Sequence, residues 1–380
     1  MNNICFYKDV IYYDGNFYVS ESEDLIRSVP IHNRFKENTW KPKSITELPE
    51  NITNISNSNI GVNLVEGFPG NMGHCLWDSM YTDWYGIFSY LENEAIHSSF
   101  QWVTTYPLDK IYNAPFDVLE TFSGYPIKYI SDYSTVPIKI PWLIYGNYGI
   151  GIGHVDYSGC SIIKLPQFSH NYDPIEKFVE RMYQRYNIVR NKIASKDGKI
   201  VWVISKRVQY GFDKIANTFL KNINKKIDFY IIQWEDLSFV EQLKLLNETS
   251  ILIVGVGTVR ANTPFLPNGA VEIQTGDFAL WNNASFIQYF DCHIGTLSKF
   301  VKVMNVANYT KEECENRTCS SSILYLLEQA YENIPYPVPI NREENIPIEV
   351  QMLLEEKVKN KELFNNWRNS YSNDISHILY

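Results

Sequence analysis

The chain has 380 residues, of which 45% are hydrophobic and 20% charged, a length and balance that suit two packed α/β halves and exclude a disordered or low-complexity protein. The formal net charge is -9, so a surface for duplex nucleic acid, which needs a basic surplus, is not expected. No run approaches the ~18 apolar residues of a membrane span.

The amino terminus reads MNNICFYKDVIYYDGN. It lacks a basic stretch followed by an apolar one, so no secretory leader is read there and a cytoplasmic chain is expected. The six cysteines (Cys5, Cys75, Cys160, Cys292, Cys314 and Cys319) are scattered without a C-x-x-C pair, which reads as free thiols in a reducing compartment. Sequons at Asn51, Asn54, Asn247, Asn283, Asn308 and Asn316 are expected by chance in a chain this rich in Asn, and Asn247 falls at the end of a predicted packed helix. The Asn- and Ile-rich composition fits an AT-rich microbial or viral coding sequence.

In chain order, residues 1–60 hold short strand-like pieces and polar loops, with a connector over 51–60. Residues 71–91 are helical and rich in aromatics. Strands are expected at 102–106, 127–130 and 142–145. A charged helix covers 173–191, with Pro174 early and basic residues late, as helix ends prefer. The Lys196-Asp197-Gly198 turn after it marks a domain boundary.

Beyond that turn the pattern is regular. Strands are expected at 199–205 (KIVWVIS), 228–233, 251–256 (ILIVGV) and 270–274. Helices lie between them at 212–220 and from Ser238, where Ser238 and Glu241 form a capping box. Phe239, Val240, Leu243 and Leu246 share one face of that second helix. The Pro267-Asn268-Gly269 turn leads into the last strand. Alternating strands and helices imply right-handed βαβ units and a parallel sheet. The division expected is 1–195 as an acceptor-side α/β domain, 196–320 as a Rossmann-like domain, and 321–380 as a helical tail. That tail is a candidate to pack back on the first domain or to pair two copies of the chain.

Three constellations could carry chemistry. In NMGHCLWDSMYTDWYGIF, His74 and Asp78 are four apart and share a helix face, with Asn71 placed to cap it. A carboxylate or imidazole there could take a proton from an attacking hydroxyl. The alternative is a surface His–Asp pair at a helix start. A metal set drawing on His154 and Asp156 lacks familiar ligand spacing. Trp77, Tyr81, Trp84 and Tyr85 could line a sugar-binding cleft or sit in the core.

The second constellation follows the 199–205 strand, where Lys206 and Arg207 stand at its carboxyl end, the edge where open parallel sheets bind ligands. Two cations there could hold a diphosphate, or form a solvated basic loop. Lys214 and Asn217 lie on the helix that follows. The third is Gly255-Val-Gly257-Thr258-Val-Arg260, a glycine-bearing turn that lets backbone approach a phosphate, or is a tight turn with no ligand. Glu272 and Gln274 on the next strand could bind a ribose or be ordinary strand-end residues.

Together these pieces resemble glycosyltransferase family 61, which includes enzymes that add xylose or arabinose to plant polysaccharides and N-acetylglucosamine to protein hydroxyls. The likeness runs through Asn71, His74 and Asp78, then Lys206, Arg207, Lys214 and Asn217. It continues through Leu237–Gln242 into Ile251–Gly255, and ends on Phe265–Glu272 (FLPNGAVE). It implies two Rossmann-like domains facing a cleft in the GT-B manner. It also implies inverting transfer from a UDP-sugar to a glycan or protein hydroxyl without an essential metal or other cofactor. Asp78 or His74 would be the base, and Lys206, Arg207 and the Gly255 loop would hold the diphosphate. One departure stands out. The family has G-x-H-G-A-G after this strand, whereas here Gly257 replaces its His, and Arg260 is the candidate to supply the missing positive charge. A catalytically inactive nucleotide- or sugar-binding relative, and another GT-B-like enzyme such as an epimerase or phosphorylase, are the alternatives.

Overall fold

A computed structural model describes residues 5–22, 24–33, 36–54, 58, 60–63, 72–81, 83–84, 87–88, 97–105, 115–131, 135–145, 173–204, 212–223, 227–255, 258–275, 301–305 and 318–334. Some side chains within these stretches, those of His74, Asp78 and Thr258 among them, are outside the description.

Two sheets carry an α/β fold. The first is mixed and eight-stranded. Its strands are β1 (Cys5–Tyr13), β2 (Asn16–Val19), β5 (Lys43–Ser44), β6 (Thr53–Asn54), β7 (Ile60–Asn63), β8 (Gln101–Thr104), β9 (Lys128–Tyr129) and β10 (Ile138–Tyr145), in the order β5-β2-β1-β10-β7-β8-β9 with β6 also on β10. The pairs β10–β7, β7–β8 and β8–β9 are parallel, while β1 runs antiparallel to both β10 and β2. The first sheet is thus mixed, with β7 paired parallel on one side of β10 and β1 antiparallel on the other. Strands β3 (Val29–Asn33) and β4 (Lys36–Trp40) form a separate antiparallel pair.

The second sheet is parallel throughout, with order β12-β11-β13-β14-β15 for β11 (Lys199–Val203), β12 (Phe229–Ile232), β13 (Thr249–Val254), β14 (Val271–Gln274) and β15 (Lys302–Asn305). All six residues of β13 are buried, and Ile251–Val254 form the apolar run that a strand covered on both faces requires. Gly269 has φ of 83°, so the 267–269 turn needs a residue without Cβ just before β14.

Helices complete the described fold. A short α1 (Met72–His74) runs on as a π-helical stretch, Cys75–Met80. Helix α2 (Phe116–Ser123) ends on Gly124, whose φ of 93° makes the left-handed cap. Next come α3 (Asp173–Arg185), α4 (Phe212–Ile223), α5 (Phe239–Asn247) and α6 (Thr318–Glu332). The capping box forms at the start of α5: the Ser238 amide donates to Glu241 Oε2 at 2.8 Å and its hydroxyl at 2.6 Å. These bonds to the charged form hold the Glu241 carboxyl below its usual range. Asn247 ends the same helix with its side chain committed. It donates to Val189 O at 2.9 Å and accepts from the Asn191 amide at 2.7 Å, so this sequon is used structurally.

Helix α6 covers the first part of the expected tail. It packs on α4, β13 and β14 of the second sheet, and Glu328 and Glu332 meet Asn222 and Lys196. Ile323, Leu327, Ala330 and Tyr331 supply the apolar stripe that this packing buries. Residues 335–380 are outside the description.

One continuous apolar core joins the two sheets. It includes Trp77, Trp84, Phe122 and Phe178 from the first half and Phe219, Leu252, Phe265 and Leu327 from the second. Arg181, fully buried on α3, crosses from that helix to the end of α2. Its Nε donates to Phe122 O at 3.0 Å and its Nη1 to Ser98 O at 2.7 Å, and the guanidinium lies over the Phe100 and Phe122 rings. The last carbonyls of a helix carry partial negative charge, which is why a buried cation is tolerated there. Cys5 and Cys75 are not disulfide-bonded, and no helix among the described residues is long and apolar enough to cross a membrane.

Candidate functional site

Counted from its amino end, the second sheet has the order 2-1-3-4-5. Such a sheet has one topological switch point, between its first and third strands, where the connections leave toward opposite faces and open a crevice at the carboxyl edge. Here those strands are β11 and β13. The stretch carrying Lys206 and Arg207 leaves β11 after Val203, and the Gly255 loop leaves β13 after Val254. Sequence reading selected the two loops separately, and the topology brings their starting points together at the switch point.

The turn beyond Gly255 is fastened from every side. It runs as two short 3-10 turns, Thr258–Arg260 and Thr263–Phe265. Trp234, just past β12, donates its indole N–H to Val259 O at 3.0 Å. Trp77, from the π-helical stretch of the first half, donates to Ala261 O at 2.8 Å. Asn262 donates to Gln242 Oε1 at 2.8 Å, and Tyr183 donates its hydroxyl to Phe265 O at 2.6 Å. Burial raises the Tyr183 phenol well above its ordinary value, so this donor keeps its proton. At the far edge, Thr275 returns to β13, giving Val254 O both its amide at 2.7 Å and its hydroxyl at 3.1 Å.

Beneath the turn, Arg260 Nε donates to Glu272 Oε1, and the Thr263 hydroxyl donates to Glu272 Oε2 at 2.5 Å. The Arg260 and Glu272 side chains are 1% and 0% exposed. Among the described residues, the Arg260 and Glu272 side chains are buried against each other. A guanidinium taken out of water needs a carboxylate, and the neighbouring strand supplies one.

The remaining candidates fall as follows. His74 ends α1 and Asp78 lies in the π-helical stretch, four residues on along one continuous helical run. α1 packs against the Thr258–Arg260 turn, so the run carrying both residues borders the second sheet's loop. Gly255 is buried at the end of β13, and Thr258 opens the 3-10 turn. Lys214 and Asn217 are exposed on α4, which follows the Lys206 stretch. Asn71, Lys206, Arg207 and Gly257 are outside the described residues, as are His154, Asp156 and Tyr85.

Of the aromatics considered as a sugar-binding lining, Trp77, Tyr81 and Trp84 are buried and pack with Phe178; Trp77 also meets Phe265. They are core residues. What sequence reading missed is the set that holds the turn: Trp77, Trp234, Gln242, Thr263 and Tyr183. A buried indole or phenol needs a hydrogen-bond partner, but the partners here lie up to 184 positions away along the chain, where no local pattern points.

No protein-family model matches this chain, and no curated protein matches it either.

Proposed function

We propose that the chain is an inverting glycosyltransferase of GT-B-like architecture that moves a sugar from a UDP-sugar to a hydroxyl of a glycan or protein. The observation that carries this reading is the convergence at the switch point. Two loops selected for diphosphate chemistry start there, and the helical run bearing His74 and Asp78 is docked on one of them through Trp77. A π-helical turn supports it further, because such turns are rare and are found frequently at functional sites.

In this reading Lys206 and Arg207 hold the donor diphosphate, helped by backbone around Gly255, Gly257 and Thr258 and by Lys214 and Asn217. Asp78 takes the acceptor hydroxyl proton, with His74 as its partner or substitute. The acceptor oxygen bonds to the anomeric carbon as the carbon–oxygen bond to the diphosphate breaks. UDP leaves with the bonding electron pair, its charge balanced by the two cations, and the proton passes from the base to water. The family likeness implies that no metal is essential for the leaving group.

Gly257, in place of the family His, favours a second reading, a relative that binds the nucleotide or sugar without turnover. A thermal-shift panel of UDP- and GDP-sugars, with donor hydrolysis followed in parallel, separates the two. Stabilisation by UDP-sugars with slow release of UDP is expected. Stabilisation with no turnover across varied acceptors leaves the binding protein, and no response to any nucleotide overturns both.

A further inference from the structure

The Arg260–Glu272 pair is the most deeply buried pair of charges among the described residues, and in the reading above it touches no substrate. Its placement explains why it is there. Glu272 stands on β14, paired in register with Leu252 of β13. Both of its oxygens accept from one excursion of the chain, Oε1 from Arg260 and Oε2 from Thr263. Arg260 sits between Val259 and Ala261, whose carbonyls are held by Trp234 and Trp77. The segment leaving the switch point is thus tied to β14 from below, to β12's end on one side and to the first half's helix on the other.

We infer that Arg260 and Glu272 are positioning residues whose buried pair sets the path of the backbone from Thr258 to Phe265 before a nucleotide diphosphate arrives. The claim that a nucleotide is what the turn awaits rests on the glycosyltransferase reading; the claim that the pair sets the turn does not. A loop that is ordered only on binding charges its ordering entropy against affinity, whereas one fixed in advance does not. A buried ion pair is also poor at adding net stability, because desolvation offsets its attraction; its better-attested use is to select one arrangement among several. Neutral side chains of similar size should therefore keep the fold and lose the arrangement.

The test uses the full chain carrying Arg260→Met together with Glu272→Gln, so that no charge is left buried alone and Gln can still accept from Thr263. Three quantities are read on parent and variant: melting temperature, amide hydrogen exchange, and UDP affinity by calorimetry. The melting temperature should stay close to the parent's. Exchange within 258–265 should speed up about tenfold or more while β11 and β13 are unchanged, since local openings are separable from global ones. UDP should bind about tenfold more weakly, the cost of ordering the turn on binding. Unchanged exchange in 258–265 overturns the inference. So does a large fall in melting temperature with protection lost across the whole second sheet, because the pair is then a general brace. Unchanged UDP affinity alongside faster exchange overturns the link to the ligand. A parent protein that binds neither UDP nor pyrophosphate overturns the nucleotide reading instead, and the exchange data still decide whether the pair sets the turn.

Discussion

The two sheets of this protein differ in how they are held and in what they contribute. The second is parallel, with strands that follow one another through helices and a single switch point at its carboxyl edge. The first is mixed, and its longest pairing joins Cys5 to Tyr145 across most of the half. The second offers loops, the first a helix laid against one of them. The seam between them is therefore built from side-chain donors meeting backbone carbonyls: Trp77 on Ala261 and Tyr183 on Phe265.

If the seam turn is the most tightly determined part of the molecule, the largest single effect should fall there. Arg260→Ala leaves the Glu272 carboxylate buried without its cation, and a loss of about 3–5 kcal/mol in denaturant unfolding is expected. A loss under about 1 kcal/mol would place the pair in contact with water and break the contrast between buried seam and open crevice.

In the first half the matching test is Arg181→Leu. Phe122 O and Ser98 O each lose a charged donor there, so about 2–3 kcal/mol should be lost. The size of the two effects compares a cation held by a carboxylate with one held by backbone carbonyls. An Arg181 variant hurt more than Arg260→Ala would reverse that order.

Smaller still is Trp77→Phe, which keeps an aromatic ring in the core and removes only the indole donor to Ala261 O. It should cost about 1–2 kcal/mol. Hydrogen exchange should report the change on both sides of the seam, in 72–80 and in 258–265. A change confined to one side would mean the halves are not coupled through this bond.

The smallest effect belongs to the cap of α5. Ser238→Ala removes one of the bonds that hold the Glu241 carboxyl low. A carboxyl depressed in the fold stabilises above its unfolded pKa, and that contribution is lost as pH falls through the folded value. The gap in melting temperature between parent and variant should therefore be present near neutral pH and shrink on acidification through the carboxylate range. A gap independent of pH would show that Glu241's charge plays no part.

The same contrast explains what was legible in the sequence. Strands β11 to β14 are short apolar runs separated by helices, so KIVWV and SILIV announce themselves, and Ser238 with Glu241 marks the helix between. Strands β1 and β10 gain their places from pairing over more than a hundred residues, which no local period records. Residue types at the site were legible as loops at a sheet edge. The direction of a side chain was not. Arg260 was legible as a cation after a glycine turn, and its burial against Glu272 on β14 was not. Trp77 and Trp84 could be read as cleft lining or as core, and they are core because α3 brings Phe178 against them.

The central claim is that the helical run from the first half supplies the base for chemistry at the second sheet's switch point. It is tested most directly by UDP release from a panel of UDP-sugars, with and without hydroxyl acceptors, comparing the parent with Asp78→Asn. The parent should release UDP. The variant should keep its UDP affinity and lose turnover by about a hundredfold or more, as expected when a general base is removed. Equal turnover in the two proteins, or no release of UDP by the parent from any donor, would contradict the account.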